Sequence, residues 1–147
     1  MQPVAIYYSS LNFDQDCLSL LENNFELVTL PNPDHNETEL LNRAELIFAP
    51  LGWYWGFAEL SRCARLRVIA SNTTGHPHID VSAAARLAIS VITLKGQDSF
   101  LRSITPTAEH ALGLIISLTR NYRSAMQSVL DGKWNRYPYG GEKMLSR

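Results

Sequence analysis

"LRVIASNTTGHPHIDVSAAARLAISVIT", Leu66 to Thr93, reads as a strand, a turn, a helix and a second strand. Its two ends, "RVIAS" (Arg67 to Ser71) and "ISVIT" (Ile89 to Thr93), are short, apolar and rich in β-branched residues, as strands are. Between them Pro77 fixes φ in a turn, and Asp80 stands where it can cap a helix. Val81, Ala84, Ala85 and Ala88 then repeat at i, i+3, i+4 and i+7, which predicts one apolar helix face. The two runs begin roughly twenty residues apart, too far for a hairpin and far enough for a helical crossover, so the strands should be parallel.

The same unit repeats upstream. "VAIYY" (Val4 to Tyr8), "ELVTL" (Glu26 to Leu30) and "LIFAP" (Leu46 to Pro50) keep the same spacing. Helical stripes lie between them: Cys17, Leu18, Leu21 and Phe25; then Leu40, Leu41 and Ala44; then Phe57, Leu60 and Ala64. Asp14 is expected to cap the first helix and Asn36 the second. Five such units predict an α/β fold: a flavodoxin-like, doubly wound, parallel five-stranded sheet in the order 2-1-3-4-5. Ligands of such sheets bind at the carboxyl ends of the strands. The loops of interest are therefore Ser9–Phe13, Pro50–Gly56, Ser71–Asp80 and Thr93–Asp98.

Composition narrows the class. The chain has 147 residues, 46% of them apolar, and a formal charge of -1. No basic cluster exceeds "RCARLR" (Arg62 to Arg67), so a nucleic-acid partner is not expected. Cys17 and Cys63 form no CxxC pair, which suits a reducing, cytoplasmic setting. The apolar stretch Leu114 to Leu118 is far short of the ~20 residues that span a bilayer, so no membrane role is expected.

After Thr93 the pattern changes. "TPTAEHALGLIISLTR" (Thr105 to Arg120) is a helix apolar on nearly every side, with Thr105 as its cap and Pro106 at its first position. The helix either runs on or breaks near Asn121, and the segment ends at Gly132. Glu109-His110 is not an HExxH pair, because no second histidine follows, and it reads as helix initiation. His76, His78 and Asp80 alternate like metal ligands, but the hydrolases that use such a pair need a barrel of about 250 residues. A turn followed by a cap explains them, and no metal is expected.

"PLGWYWG" (Pro50 to Gly56) is either a packed loop, a lid over substrate or a stacking surface for a flat ring. A phosphate-accepting receiver is excluded: Lys95 is present, but "YYSS" and "FAPLG" supply no acidic pocket. An FMN-binding electron-transfer module remains as an alternative, with Ser9 and Ser10 in place of a richer phosphate loop. A third reading is a substrate domain that works beside a cofactor domain.

Three stretches favour the third reading. Leu66 to Thr93 resembles the fourth strand, glycine loop and helix of the D-isomer-specific 2-hydroxyacid dehydrogenases, the D-3-phosphoglycerate dehydrogenase type. "TAEHALGLIISLTRN" (Thr107 to Asn121) is similar to that family's Ala-Glu and long apolar helix, and "DGKWNR" to its Gly-x-Trp. The resemblance implies an NAD enzyme in which residues 1–98 bind substrate. Residues 99–147 would then hold the interdomain helix and the start of an NAD-domain arm. It implies that the amides of Thr74 and Gly75 hold the carboxylate of a 2-hydroxy or 2-oxo acid. Gly52 and Trp53 would lie near the substrate, and Thr74 and Thr107 near the nicotinamide. The helix from Pro106 should bury its apolar surface against a second chain, so a homodimer formed through the region from Pro106 to Arg147 is expected.

Departures are plain. "KGQDSFLRSI" (Lys95 to Ile104) lengthens the chain ahead of Ala108-Glu109, and Trp53-Tyr54-Trp55 replace the arginine often seen after the third strand. The glycines at 52, 56, 75, 96, 113, 132, 140 and 141 form no G-x-G-x-x-G. The family's catalytic arginine, glutamate and histidine match no residue here, and Glu109 and His110 are not those residues. "YGGEKMLSR" resembles the lead-in to a first Rossmann strand, and the chain taken alone is expected to be inactive.

Overall fold

The computed structural model describes residues 2–141. They gather into two units, one ending at Gln97 and the other beginning at Asp98. Residues 142–147, which hold most of the expected lead-in to a Rossmann strand and the end of the arm, lie outside the described residues.

The first unit is a five-stranded sheet. Its strands are β1 (Val4–Tyr8), β2 (Glu26–Leu30), β3 (Leu46–Phe48), β4 (Val68–Ala70) and β5 (Ser90–Ile92), in the order β2-β1-β3-β4-β5. Every pairing is parallel, with Ile6 opposite Ile47, Ile47 opposite Ile69 and Ile69 opposite Val91. The expected order is therefore the observed one. The last three strands are each two residues shorter than their apolar runs.

Side chains alternate across a strand, so Ile6, Ile47, Ile69 and Val91 share one face. That face is closed. Helices α2 (Thr38–Arg43), α3 (Phe57–Leu60) and α4 (Val81–Arg86) bring Leu41, Leu60, Ala83 and Ala84 onto it, and Ile6, Ile47, Ile69 and Leu60 are fully buried. The other face is finished only at one end. There Leu21 of α1 (Gln15–Asn24) is buried, and Phe13 packs on Tyr7 and edge-on against Phe48. Toward β5 the face opens into a groove of about 650 Å³ lined by Leu46, Phe48, Val68, Ala70 and Ile92.

Local signals held in part. Asp14 accepts from the Cys17 N–H at 2.8 Å and Asp80 from the Ala83 N–H at 2.9 Å, so both act as caps. Asn36 does not cap α2: its Oδ1 accepts from the buried Tyr8 hydroxyl at 2.8 Å, and Glu37 stands at the cap position without a side-chain bond. Ala64 is exposed and Phe57 half exposed, because α3 lasts one turn and the helical period does not extend beyond it; Cys63 and Leu66 take the buried places. In α4 the buried stripe is Ala83, Ala84 and Leu87 rather than Val81, Ala84, Ala85 and Ala88. Ala88 adopts a positive φ of 55°, which ends the helix, and the larger Leu87 is drawn to the core.

The second unit holds α5 (Asp98–Leu101), α6 (Pro106–Thr119) and α7 (Tyr122–Leu130). Pro106 opens α6, but Thr105 makes no side-chain cap; its hydroxyl donates to Glu109 Oε1 at 2.5 Å. Asn121, in the left-handed region, separates α6 from α7, and Gly132 at φ 72° follows the end of α7. Among the described residues of this unit, Leu112, Leu114, Ile115 and Leu118 of α6 are exposed.

Candidate functional site

Two loops at the carboxyl edge of the sheet are joined through their main chains. The loop after β3 turns at Gly52, whose φ of 95° suits glycine. Its three aromatics then part. Trp53 is half-buried and its indole N–H donates to Asp34 at 2.9 Å; Tyr54 is exposed; Trp55 is buried. The Trp55 N–H donates to the His78 carbonyl at 2.8 Å, and the Asp80 N–H to the Trp55 carbonyl at 3.0 Å. The Trp55 ring lies 6.4 Å from that of Tyr8, and its Nε1 has no partner among the described residues. Of the readings open for this segment, Trp55 is therefore packing, while Trp53 and Tyr54 form the rim. A cavity of about 320 Å³ beside them is lined by Asp34, Asn36, Trp53, Tyr54, Glu59 and Arg62.

The loop after β4 is held from beneath. Ser71 is buried and its Oγ lies 3.1 Å from His78 Nε2 and 2.9 Å from Thr73 Oγ1; the Thr73 hydroxyl donates to the Gly75 carbonyl at 2.6 Å. The Leu94 N–H donates to the Thr73 carbonyl at 3.0 Å, which ties in the loop after β5. Above this scaffold Thr74 and Gly75 are exposed, and among the described residues no acceptor pairs with the main-chain N–H of Thr74, Gly75 or His76. A Cβ on Gly75 would come no nearer than 3.7 Å to its closest neighbour, Pro77. The fold itself therefore does not demand glycine there, and the space above the loop is free for an approaching group. A shallow cavity of about 370 Å³ next to it is lined by His76, Val81, Thr93 and Lys95.

Burial holds the His78 imidazole below the usual histidine range; the Ala49 carbonyl opposes this, and the neighbouring His76 adds to it. The Ala49 oxygen is an electrostatic neighbour rather than an aligned acceptor, since His78 Nδ1 makes no hydrogen bond within the chain. One atom of each side chain is engaged, His78 Nε2 by Ser71 and Asp80 Oδ1 by the α4 N-terminus. Among the described residues no three histidine, cysteine or acidic side chains converge. Glu109 and His110 are exposed on α6, and Thr107 lies in its first turn, in the second unit. Ser71 carries no signal of its own in the sequence, where His78 stands out only as a metal-ligand candidate and Lys95 only as a receiver lysine. Their signal, polar residues at or just beyond strand ends, is common to most loops of such sheets.

No family model matches the chain. Curated relatives do. Formate dehydrogenase 1 of Saccharomyces cerevisiae is 27% identical over 122 residues, 78% of this chain and 31% of that protein. D-3-phosphoglycerate dehydrogenase of Archaeoglobus fulgidus is 33% identical over 91 residues, 61% of this chain and 16% of that protein. The chain thus spans about a third, or less, of the relatives it matches. Among solved structures, D-lactate dehydrogenase from Aquifex aeolicus, complexed with NAD and lactic acid, superposes with a TM-score of 0.74 at 19% identity. The match covers 95% of this chain and 41% of that one. NAD-dependent formate dehydrogenase from Staphylococcus aureus gives 0.68 at 20% identity, over 97% of this chain and 46% of that one. At such identities the superpositions establish the fold.

Proposed function

The chain is a homologue of the D-isomer-specific 2-hydroxyacid dehydrogenases, and from that premise we propose that its first unit binds the substrate of an NAD-dependent oxidoreductase acting on the CH–OH group of a D-2-hydroxy acid. The observation that carries this reading is the unpaired row of main-chain N–H groups at Thr74 and Gly75, exposed at the carboxyl edge of the sheet. Unpaired amides in a turn suit a carboxylate, and a glycine lets it come close. Gly52 sets the turn that presents Trp53, and Trp53 and Tyr54 wall the side on which the acid's substituent would lie. Lys95, on the cavity beside the loop, adds positive charge for the same anion.

NAD, when bound, supplies the acceptor for the hydride from C2. Within the first unit, the resemblance supports Thr74 as the residue nearest its nicotinamide side. The 147 residues contain no glycine pair spaced for a dinucleotide pyrophosphate, so no residue here is assigned to that group. The chain by itself is accordingly proposed to be inactive. Mixing the pure chain with NADH and pyruvate, glyoxylate or hydroxypyruvate should give no loss of absorbance at the nicotinamide band; measurable turnover would overturn this. A yellow protein carrying FMN would overturn the dehydrogenase reading itself.

Substrate binding is tested separately by titrating labelled chain with oxalate and pyruvate. The amide signals of Thr74 and Gly75 should move together and saturate; shifts confined to the loops after β1 and β2 would count against the site. The exposed apolar surface of α6 supports pairing of two chains through the region from Pro106. Sedimentation should show a dimer, and Leu114→Glu should weaken it.

A further inference from the structure

Three close contacts run in series under the glycine loop: His78 Nε2 to Ser71 Oγ, Ser71 Oγ to Thr73 Oγ1, and Thr73 Oγ1 to the Gly75 carbonyl. Each needs one hydrogen. The carbonyl brings none, so the Thr73 hydroxyl must donate to it. Its single proton is then spent, so Ser71 must donate to Thr73. The Ser71 proton is spent in turn, so the hydrogen between Ser71 and His78 must come from the imidazole. The other tautomer, with its proton on Nδ1, would leave one of the two oxygen–oxygen contacts or the carbonyl contact without a hydrogen. The Ala49 carbonyl, the neighbour that would favour that tautomer, makes no aligned bond to Nδ1.

The far end of this relay fixes a peptide plane. No described peptide bond is cis, so the Gly75–His76 unit is trans and its C=O and N–H point in opposite directions. With the Gly75 oxygen drawn toward Thr73, the His76 N–H faces the other way, and it has no acceptor among the described residues. We infer that His78 is a positioning residue, which through Ser71 and Thr73 locks the Gly75–His76 peptide and thereby makes the His76 main-chain N–H a further donor to a bound carboxylate. The donor row then runs from Thr74 to His76, and Ser71 and Thr73 decide its shape. This rests on the carboxylate reading of the loop, and the experiments are chosen so that the two can fail separately.

Long-range nitrogen–proton spectra of the free chain above neutral pH read the imidazole directly. The relay requires His78 to carry its proton on Nε2; a proton on Nδ1 overturns it, whatever the loop binds. Oxalate titration reads the consequence. In the wild-type chain the His76 amide should shift with those of Thr74 and Gly75. Thr73→Val keeps the shape of a half-exposed side chain but removes the donor. It should weaken oxalate by about tenfold, the worth of one hydrogen bond, and abolish the His76 shift. Thr73→Ser restores the hydroxyl and should stay within about twofold of wild type. Wild-type affinity and an unaltered His76 response in Thr73→Val would overturn the inference. If the wild-type chain binds neither oxalate nor pyruvate, the carboxylate reading fails. The relay is then judged by the imidazole spectrum and by whether the Gly75 carbonyl signal moves in Thr73→Val but not in Thr73→Ser.

Discussion

The main-chain N–H of Trp55 donates to the carbonyl of His78, 2.8 Å away, so the loop after β3 and the loop after β4 are one piece of structure. The Asp80 N–H closes the pair on the Trp55 carbonyl at 3.0 Å, beneath a buried indole. Loops of this kind usually open locally, with little free energy. Here amide exchange at Trp55 and Asp80 should be as slow as at Ile69 in the sheet, while the exposed Tyr54 exchanges fast. Rapid exchange at Trp55 would show that the two loops part independently.

Two glycines of the site should respond in opposite ways to a methyl group. Gly52→Ala places a side chain at φ 95° and should cost about 1 kcal/mol in urea unfolding. Gly75→Ala meets nothing closer than 3.7 Å and should unfold as wild type while losing oxalate binding. A Gly75→Ala chain that binds oxalate normally would remove the loop from the site.

His78 links stability to acidity. Its folded imidazole titrates below the ordinary value because it is buried, so between the two values the unfolded chain binds the extra proton. Stability is therefore present above about pH 6.5 and is lost as pH falls below it toward the folded value. The urea midpoint should drop on acidification through that range, and His78→Gln, which keeps a donor toward Ser71, should flatten the drop.

Cys63 works at the other end of the scale. Burial pushes its thiol up from 9.0 to about 11, despite the nearby Arg62. The folded state then holds a proton that the unfolded state releases first. Stability from this group is full below pH 9 and is lost as pH rises toward about 11. A thiol reagent at pH 8 should modify the half-buried Cys17 quickly and Cys63 only on unfolding.

The two faces of the sheet predict a contrast between neighbouring isoleucines. Ile69→Ala removes a fully buried side chain and should cost roughly 2–5 kcal/mol. Ile92, 55% exposed, should tolerate alanine with a small change. Equal losses in urea unfolding would mean that the open face is closed in solution.

Parallel pairing was legible from spacing, because runs about twenty residues apart need helical crossovers, and the order followed from the compact way of winding five such strands. What was not legible depends on partners distant in sequence. Asn36 looks like a cap, yet the Tyr8 hydroxyl, buried 28 positions away, takes its oxygen. In "VSAAAR" small apolar residues are nearly continuous, so periodicity cannot choose between a stripe through Ala85 and one through Ala83; Leu87 decides it by size. The glycine loop could be found by resemblance. The hydrogen-bond chain under it could not, because serine, threonine and histidine show their direction of donation only when their distances are known.

The unequal finish of the sheet has an evolutionary side. Ile47 and Ile69 are enclosed by described residues of the first unit, so a change of size there calls for a compensating change within that unit. Leu46, Val68 and Ile92 line the open groove. In a population of related chains the two sets would change on different clocks. The first would covary with the helices of the first unit, and the second would follow the history of a neighbouring surface.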